Sequence, residues 1–266
     1  MSSESSYDIG ELLTQWPYDP RRLNVRVFPG LDGRQKLQLR CVMGLLQMDK
    51  SGRPDGQRPF GFESLLHYHG HELQNYRRSN GNDAGFYLTP EECGSLRFEM
   101  QLYAQRAASL LLLGDYPAAM RDSFHNLRIA DLCRRFGLQS HHLHVILGNR
   151  PRMLIMRARA RASLLLEDGR PRAAYTTVQR LIRRLEKIYA GRKRRLPYAC
   201  LPDLAQLQLL EFRLRLKLPI ERVRMLRKAL ERAIAAGRYR EAARLRKQIA
   251  ALTTDDGRPP RPVDPR

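Results

Sequence analysis

Three times along the chain a helical run stops at a glycine and resumes within a few residues on a pair of alanines. The three corners are Leu112-Leu113-Gly114-Asp115-Tyr116-Pro117-Ala118-Ala119, Leu166-Glu167-Asp168-Gly169-Arg170-Pro171-Arg172-Ala173-Ala174 and Ala235-Ala236-Gly237-Arg238-Tyr239-Arg240-Glu241-Ala242-Ala243. Glycine at such a stop adopts the left-handed backbone that ends a helix without a Cβ clash. The alanines let the next helix pass close to its predecessor, because interaxial distance is set by the side chains at the contact. A chain built on these corners is committed to paired helices, the unit of tetratricopeptide-type solenoids. The first two glycines lie 55 residues apart, against a period of about 34. The repeat is therefore degenerate, and an irregular bundle is the competing arrangement.

The periodicity places the helices. Thr89-Pro90-Glu91-Glu92 reads as an N-cap, a proline in the first position and an acidic first turn, opening a helix to about Leu113. A second runs from the Gly114 break to about Phe136, and a third covers Met153 to Glu167. The next carries Tyr175, Val178, Leu181, Ile182, Leu185, Ile188 and Tyr189 as an amphipathic stripe. Further helices are expected from Pro202 to about Lys217, Pro219 to Ala236 and Tyr239 to Leu252. The tail, Thr253 to Arg266, holds Pro259, Pro260, Pro262 and Pro265 and has the composition of a disordered segment.

The amino-terminal part follows a different period. Asn24 to Phe28 and Lys36 to Val42 alternate polar and apolar residues around Pro29-Gly30-Leu31-Asp32-Gly33, which predicts a β-hairpin, extended as far as Met48. Gly52-Arg53-Pro54-Asp55-Gly56 closes the extended region, Phe60 to Asn75 suits a short helix, and Ser79 to Asp83 reads as a loop. Trp16 and Tyr18, set between prolines, are expected to cap the sheet rather than to bind a ligand. The expected architecture is mainly α. Residues 1–80 form a segment with a β-hairpin, 89–217 a helical, tetratricopeptide-like region, 219–252 a helical hairpin, and 253–266 a tail.

Charge narrows the choice of partner. Residues 1–133 carry 15 Lys/Arg and 16 Asp/Glu, whereas residues 134–266 carry 33 and 11, so the whole net charge of +21 lies in the second half. Such asymmetry favours an anionic partner. Arginine outnumbers lysine 41 to 7, as GC-rich codon usage would impose, but codon usage does not cluster charge. Residues 150–195 hold fifteen basic and three acidic side chains. Arg157 and Arg161 sit one turn apart, Arg180, Arg183, Arg184 and Lys187 share a polar face, and Arg192-Lys193-Arg194-Arg195 form a run. Guanidinium groups along a helix can follow phosphates and release counterions. The basic face lacks the interleaved aromatics of single-strand binders, so a solvated surface is the simpler alternative.

The last hairpin carries a specific resemblance. Leu226, Leu230, Ala233-Ile234, Tyr239, Ala242-Ala243, Leu245-Arg246, Ile249 and Leu252 follow the order and spacing of the UVR motif, so residues 219–252 resemble that family. In the family this hairpin joins the UvrB and UvrC subunits of excision repair, and it also occurs in Clp ATPases. The resemblance implies an adaptor surface built on Leu226, Leu230, Ala233, Tyr239, Ala242, Leu245, Arg246 and Ile249, with no nuclease, helicase or kinase chemistry. Where the family is usually acidic this chain has Arg238, Arg240 and Lys247, and the segment holds ten basic and three acidic residues. An acidic partner is therefore expected. Trp16-Pro17-Tyr18-Asp19-Pro20, Gly44 to Met48 and Gly52 to Gly56 also resemble the amino-terminal part of bacterial proteins ending in a UVR hairpin.

Enzyme chemistry has no motif here. No nucleophile elbow or phosphate-binding glycine loop is present, and His67, His69, His71, His141, His142 and His144 would need an extended segment to converge on a metal. No cofactor is expected. The polar start Met1 to Tyr7, the lack of a long apolar run and four scattered cysteines, Cys41, Cys93, Cys133 and Cys200, predict a cytoplasmic protein without a membrane span.

Overall fold

The computed structural model of the chain describes residues 8–21, 24–191 and 201–254. A short helix α1 (Gly10–Gln15) precedes strands β1 (Val25–Pro29), β2 (Gln35–Cys41) and β3 (Gly44–Asp49). Then come α2 (Leu65–Asn80), α3 (Pro90–Leu113), α4 (Tyr116–Phe136), α5 (His141–Glu167), α6 (Pro171–Gly191), α7 (Leu201–Lys217), α8 (Pro219–Ala235) and α9 (Tyr239–Thr254). The architecture is mainly α behind a small antiparallel sheet. Arg192, Lys193, Arg194, Arg195, Cys200, the start through Tyr7 and the tail beyond Thr254 lie outside the described residues, as do the side chains of Ile188, Tyr189 and Leu252.

The expected hairpin is the first part of a three-stranded meander in the order β1-β2-β3. Val25 faces Leu39 and Phe28 faces Lys36 in the first pair, while Leu37 faces Met48 and Cys41 faces Gly44 in the second. The last pairing leaves only Val42 and Met43 for the turn. Neither is a turn residue by type, so a separate third strand carried little sequence signal. Val25, Leu37 and Met48 are buried and pack on Leu110, Ala118, Ala119 and Ala160, which seats the sheet on the α3–α4 corner. Trp16 lies over this sheet with the Arg26 guanidinium 4.3 Å from its ring centroid.

Local chemistry accounts for the helix ends. Thr89 and Glu92 form a reciprocal capping box at the start of α3, with Pro90 in the first turn. Gly114 closes α3 at φ 82°, and Gly169 and Gly237 take φ 69° and 70° at the other two corners. Several boundaries differ from expectation, among them the start of α2 at Leu65 rather than Phe60 and the end of α9 at Thr254 rather than Leu252. Helix α2 continues to Asn80 and stops at the left-handed Gly81, so Ser79 and Asn80 are helical. Helix α5 begins at His141, capped by the Ser140 hydroxyl, and runs through Pro151. Proline removes one backbone donor, which reads as a break in sequence. Pro151 is nevertheless buried, and a 27-residue helix packed on both α4 and α6 carries the defect.

Each helix from α3 to α7 packs on the next, and α3 also meets α5 as α5 meets α7. This alternation is how a helical solenoid propagates its core. One apolar cluster joins α2, α3, α4 and the start of α5 through Leu66, Leu96, Ile129, Phe136 and Ile146. Another joins α5, α6 and α7 through Ile155, Val178, Leu185, Leu207 and Leu214. Helix α8 touches α7, and α9 packs principally on α8. Among the described residues no helix is long and apolar enough to cross a membrane.

Candidate functional site

At the carboxyl end, α8 and α9 form the expected antiparallel pair around Gly237. Ala233 and Ala242, 1% and 5% exposed, are the most buried of the described residues of the pair. Leu226, Leu230, Leu245 and Ile249 are only half-buried. Arg246 is exposed, as is Tyr239, which is 74% accessible. Ile234 and Met225 are also exposed, at 43% and 54%. The preceding helices do not cover this apolar surface, because α9 has α8 as its main neighbour and α8 has only a limited contact with α7.

The basic residues divide. Arg161 and Arg180 come together with Arg170 and Arg172 around an open cleft of about 780 Å³ at the α5–α6 corner, closed on one side by Leu218. Among the described residues no acidic side chain lines it. Arg183, Arg184 and Lys187 are exposed on α6 but do not line the cleft. Arg157 is half-buried, its guanidinium 4.7 Å from the Phe124 ring centroid, and is thus committed to packing on α4.

A third constellation escaped the sequence reading. Where the sheet meets α2, α3 and α4, Glu99 is fully buried. Its carboxylate accepts the first two amides of α2, from Leu65 at 2.7 Å and Leu66 at 3.2 Å, and lies 3.0 Å from His125 Nε2. The His125 ring stacks on Tyr103 with centroids 3.7 Å apart. One turn further along α3, Arg106 binds both oxygens of Asp122, at 2.6 and 3.0 Å, and donates to the Asp49 carbonyl. Arg53, 6% exposed at its side chain, brings Nε within 3.5 Å of Glu99 and 3.4 Å of Asp55, yet that nitrogen makes no hydrogen bond. Burial alone would push the Glu99 carboxyl up, but the His125 bond and the two amides hold it below the usual range. Burial beside Glu99 raises the Tyr103 hydroxyl, which stays neutral.

Polar residues at helical spacing inside an apolar stripe were the available signal. Glu99 and Arg106 interrupt the run Leu96, Met100, Tyr103, Ala107 and Leu110, and Asp122, His125 and Asn126 interrupt that of Ala119, Ile129 and Ala130. The histidines grouped by sequence do not converge: His67, His69 and His71 all lie on α2 and His141, His142 and His144 on the first turn of α5. Among the described residues no group of three His, Cys, Asp or Glu side chains is placed to hold a metal ion.

Family models, curated proteins and solved structures all show no match to the chain.

Proposed function

We propose that this protein is a non-enzymatic, cytoplasmic adaptor that docks a partner protein through a basic, UVR-type hairpin, α8–α9. The observation that supports this reading is the hairpin's incompletely covered stripe, with Tyr239, Ile234 and Met225 in solvent. Exposed apolar residues surrounded by like charge suit a partner whose apolar contact is rimmed by carboxylates. Excision repair and Clp-type quality control, the settings of the motif it resembles, are where such a partner is to be sought. The test is affinity capture with the full chain and with a chain ending at Lys217, followed by mass spectrometry and by binding of the purified partner. Combined Ile234→Asp and Tyr239→Ala substitution is expected to weaken binding about 100-fold, as the loss of two central anchors at roughly 1–2 kcal/mol each implies. Retention of every partner by the shortened chain would rule out the hairpin as the docking element.

The cleft at the α5–α6 corner supports a second reading, a sequence-nonspecific nucleic-acid binder. Four arginines and, among the described residues, no carboxylate form its wall, an arrangement that attracts phosphates through counterion release. Arg161→Ala with Arg180→Ala is expected to lower affinity for a labelled duplex and to flatten its salt dependence by about two counterions. An unchanged slope in a salt titration would dismiss this reading.

A further inference from the structure

We propose that the cavity between the loop after β3, α2, α3 and α4 binds a small organic oxyanion, held by Arg121, Arg128, His125 and His67. The space is about 340 Å³ and is lined by Glu63, His67, Tyr103, Arg106, Arg121, Asp122, His125 and Arg128 among others. That volume lies in the range of small-molecule sites. A neighbouring cavity of about 300 Å³ shares Ser51, Gly52 and Glu63 with it and adds Arg53, whose buried Nε makes no hydrogen bond.

Helix geometry aligns the donors. Arg121, His125 and Arg128 stand at i, i+4 and i+7 on one face of α4, a row about 10 Å long. His125 is held from behind, with Nε2 donating to Glu99 and its ring against Tyr103, so Nδ1 is the nitrogen left to accept from a hydroxyl of the ligand. His67, on α2, has Nδ1 2.9 Å from the Ser64 hydroxyl, which leaves Nε2, and its ring centroid is 6.3 Å from that of His125. Two imidazoles fixed in this way present nitrogens to a common space from different helices.

Charge identifies the ligand class. Of the lining groups, Arg106 is consumed by Asp122, while Arg121 lies 3.2 Å from the same carboxylate and also donates to the Lys50 carbonyl at 3.5 Å. Arg128 has no carboxylate partner among the described residues. Among the lining residues, Arg106, Arg121 and Arg128 against Glu63 and Asp122 leave a fixed charge of +1. A phosphate ester or a carboxylate supplies the acceptors these donors lack. Stability does not explain the arrangement, because apolar residues in place of a buried ion pair commonly give an equally stable fold. Buried ionisable groups gathered at a cavity are instead the mark of a binding or reactive site.

The test is calorimetric titration of the full chain with inorganic phosphate, glycerol 3-phosphate and citrate, each at about 0.15 M salt. Long-range ¹H–¹⁵N spectra of the histidine rings are recorded alongside. At least one probe is expected to bind with Kd below about 1 mM, shifting the His125 and His67 ring nitrogens. The preference between glycerol 3-phosphate and citrate separates phosphate from carboxylate recognition. Arg128→Ala, an exposed residue outside the core network, is expected to weaken binding at least about tenfold. No binding of any probe up to about 10 mM, or a loss of less than tenfold in Arg128→Ala with circular dichroism unaltered, overturns the proposal.

Discussion

Replacing Asp122 with alanine is expected to cost the fold about 3–5 kcal/mol. Arg106 and Asp122 are each 1% exposed at the side chain and joined by two short hydrogen bonds. Removing the carboxylate leaves a guanidinium with no counter-ion at a side chain only 1% exposed. The penalty comes from that stranded charge rather than from the attraction lost, so removing both partners should hurt far less. Urea unfolding followed by far-UV circular dichroism is the measurement. The double replacement Arg106→Met with Asp122→Leu is expected to recover at least half of the loss, with the remainder due to the Asp49 carbonyl, which Arg106 also serves. A single-variant loss under about 1 kcal/mol, the scale of an exposed pair, would show that this pair is solvated in solution.

Glu99→Gln is the second large effect, at about 2–4 kcal/mol. The carboxylate accepts from the amides of Leu65 and Leu66 and from His125, and it stands near Arg53. An amide in the same space removes the charge and turns an NH₂ group toward donors. The amino end of α2 then loses an acceptor that no other side chain supplies in its place. The same group sets a pH dependence. The folded state holds Glu99 below its ordinary value of 4.5, so the folded protein releases the proton more readily than the unfolded chain. Its stabilisation is complete above about pH 4.5 and is lost as pH falls through the folded value. Melting curves between pH 2 and 7 should show a steep acid limb for the parent protein. The limb of the Gln variant should be shallower, and an equal slope would mean that Glu99 does not titrate with unfolding.

The two predictions concern residues that a linear reading passes over. Gly114, Gly169 and Gly237, with the alanine pairs behind them, could be recognised as corners because helix termination is a local event governed by backbone sterics within a few residues. The capping box of Thr89 and Glu92 is local in the same sense, spanning a single turn. The start of α5 was misplaced for a non-local reason. Pro151 weakens the helix by itself, and only the neighbours on both sides make continuation favourable. Strand β3 was absorbed into the hairpin because Val42-Met43 lacks the residue types that announce a turn. The exposure of Tyr239 likewise depends on how α9 is rotated against α8, which periodicity constrains only to within a broad stripe.

The chain's mainly helical character, its amino-terminal sheet, the corners between helices and the concentration of positive charge after residue 133 are determined by the sequence itself. Each depends on residue type and short spacing, through φ/ψ preference, amphipathic period and net charge. Tertiary structure alone decided which of those charges meet. It gathered Arg161, Arg170, Arg172 and Arg180 around one cleft. It also joined Glu99 to His125 and Arg106 to Asp122 across separate helices. Electrostatic and hydrogen-bond energies fall off over a few ångströms in space, a distance that sequence separation does not measure.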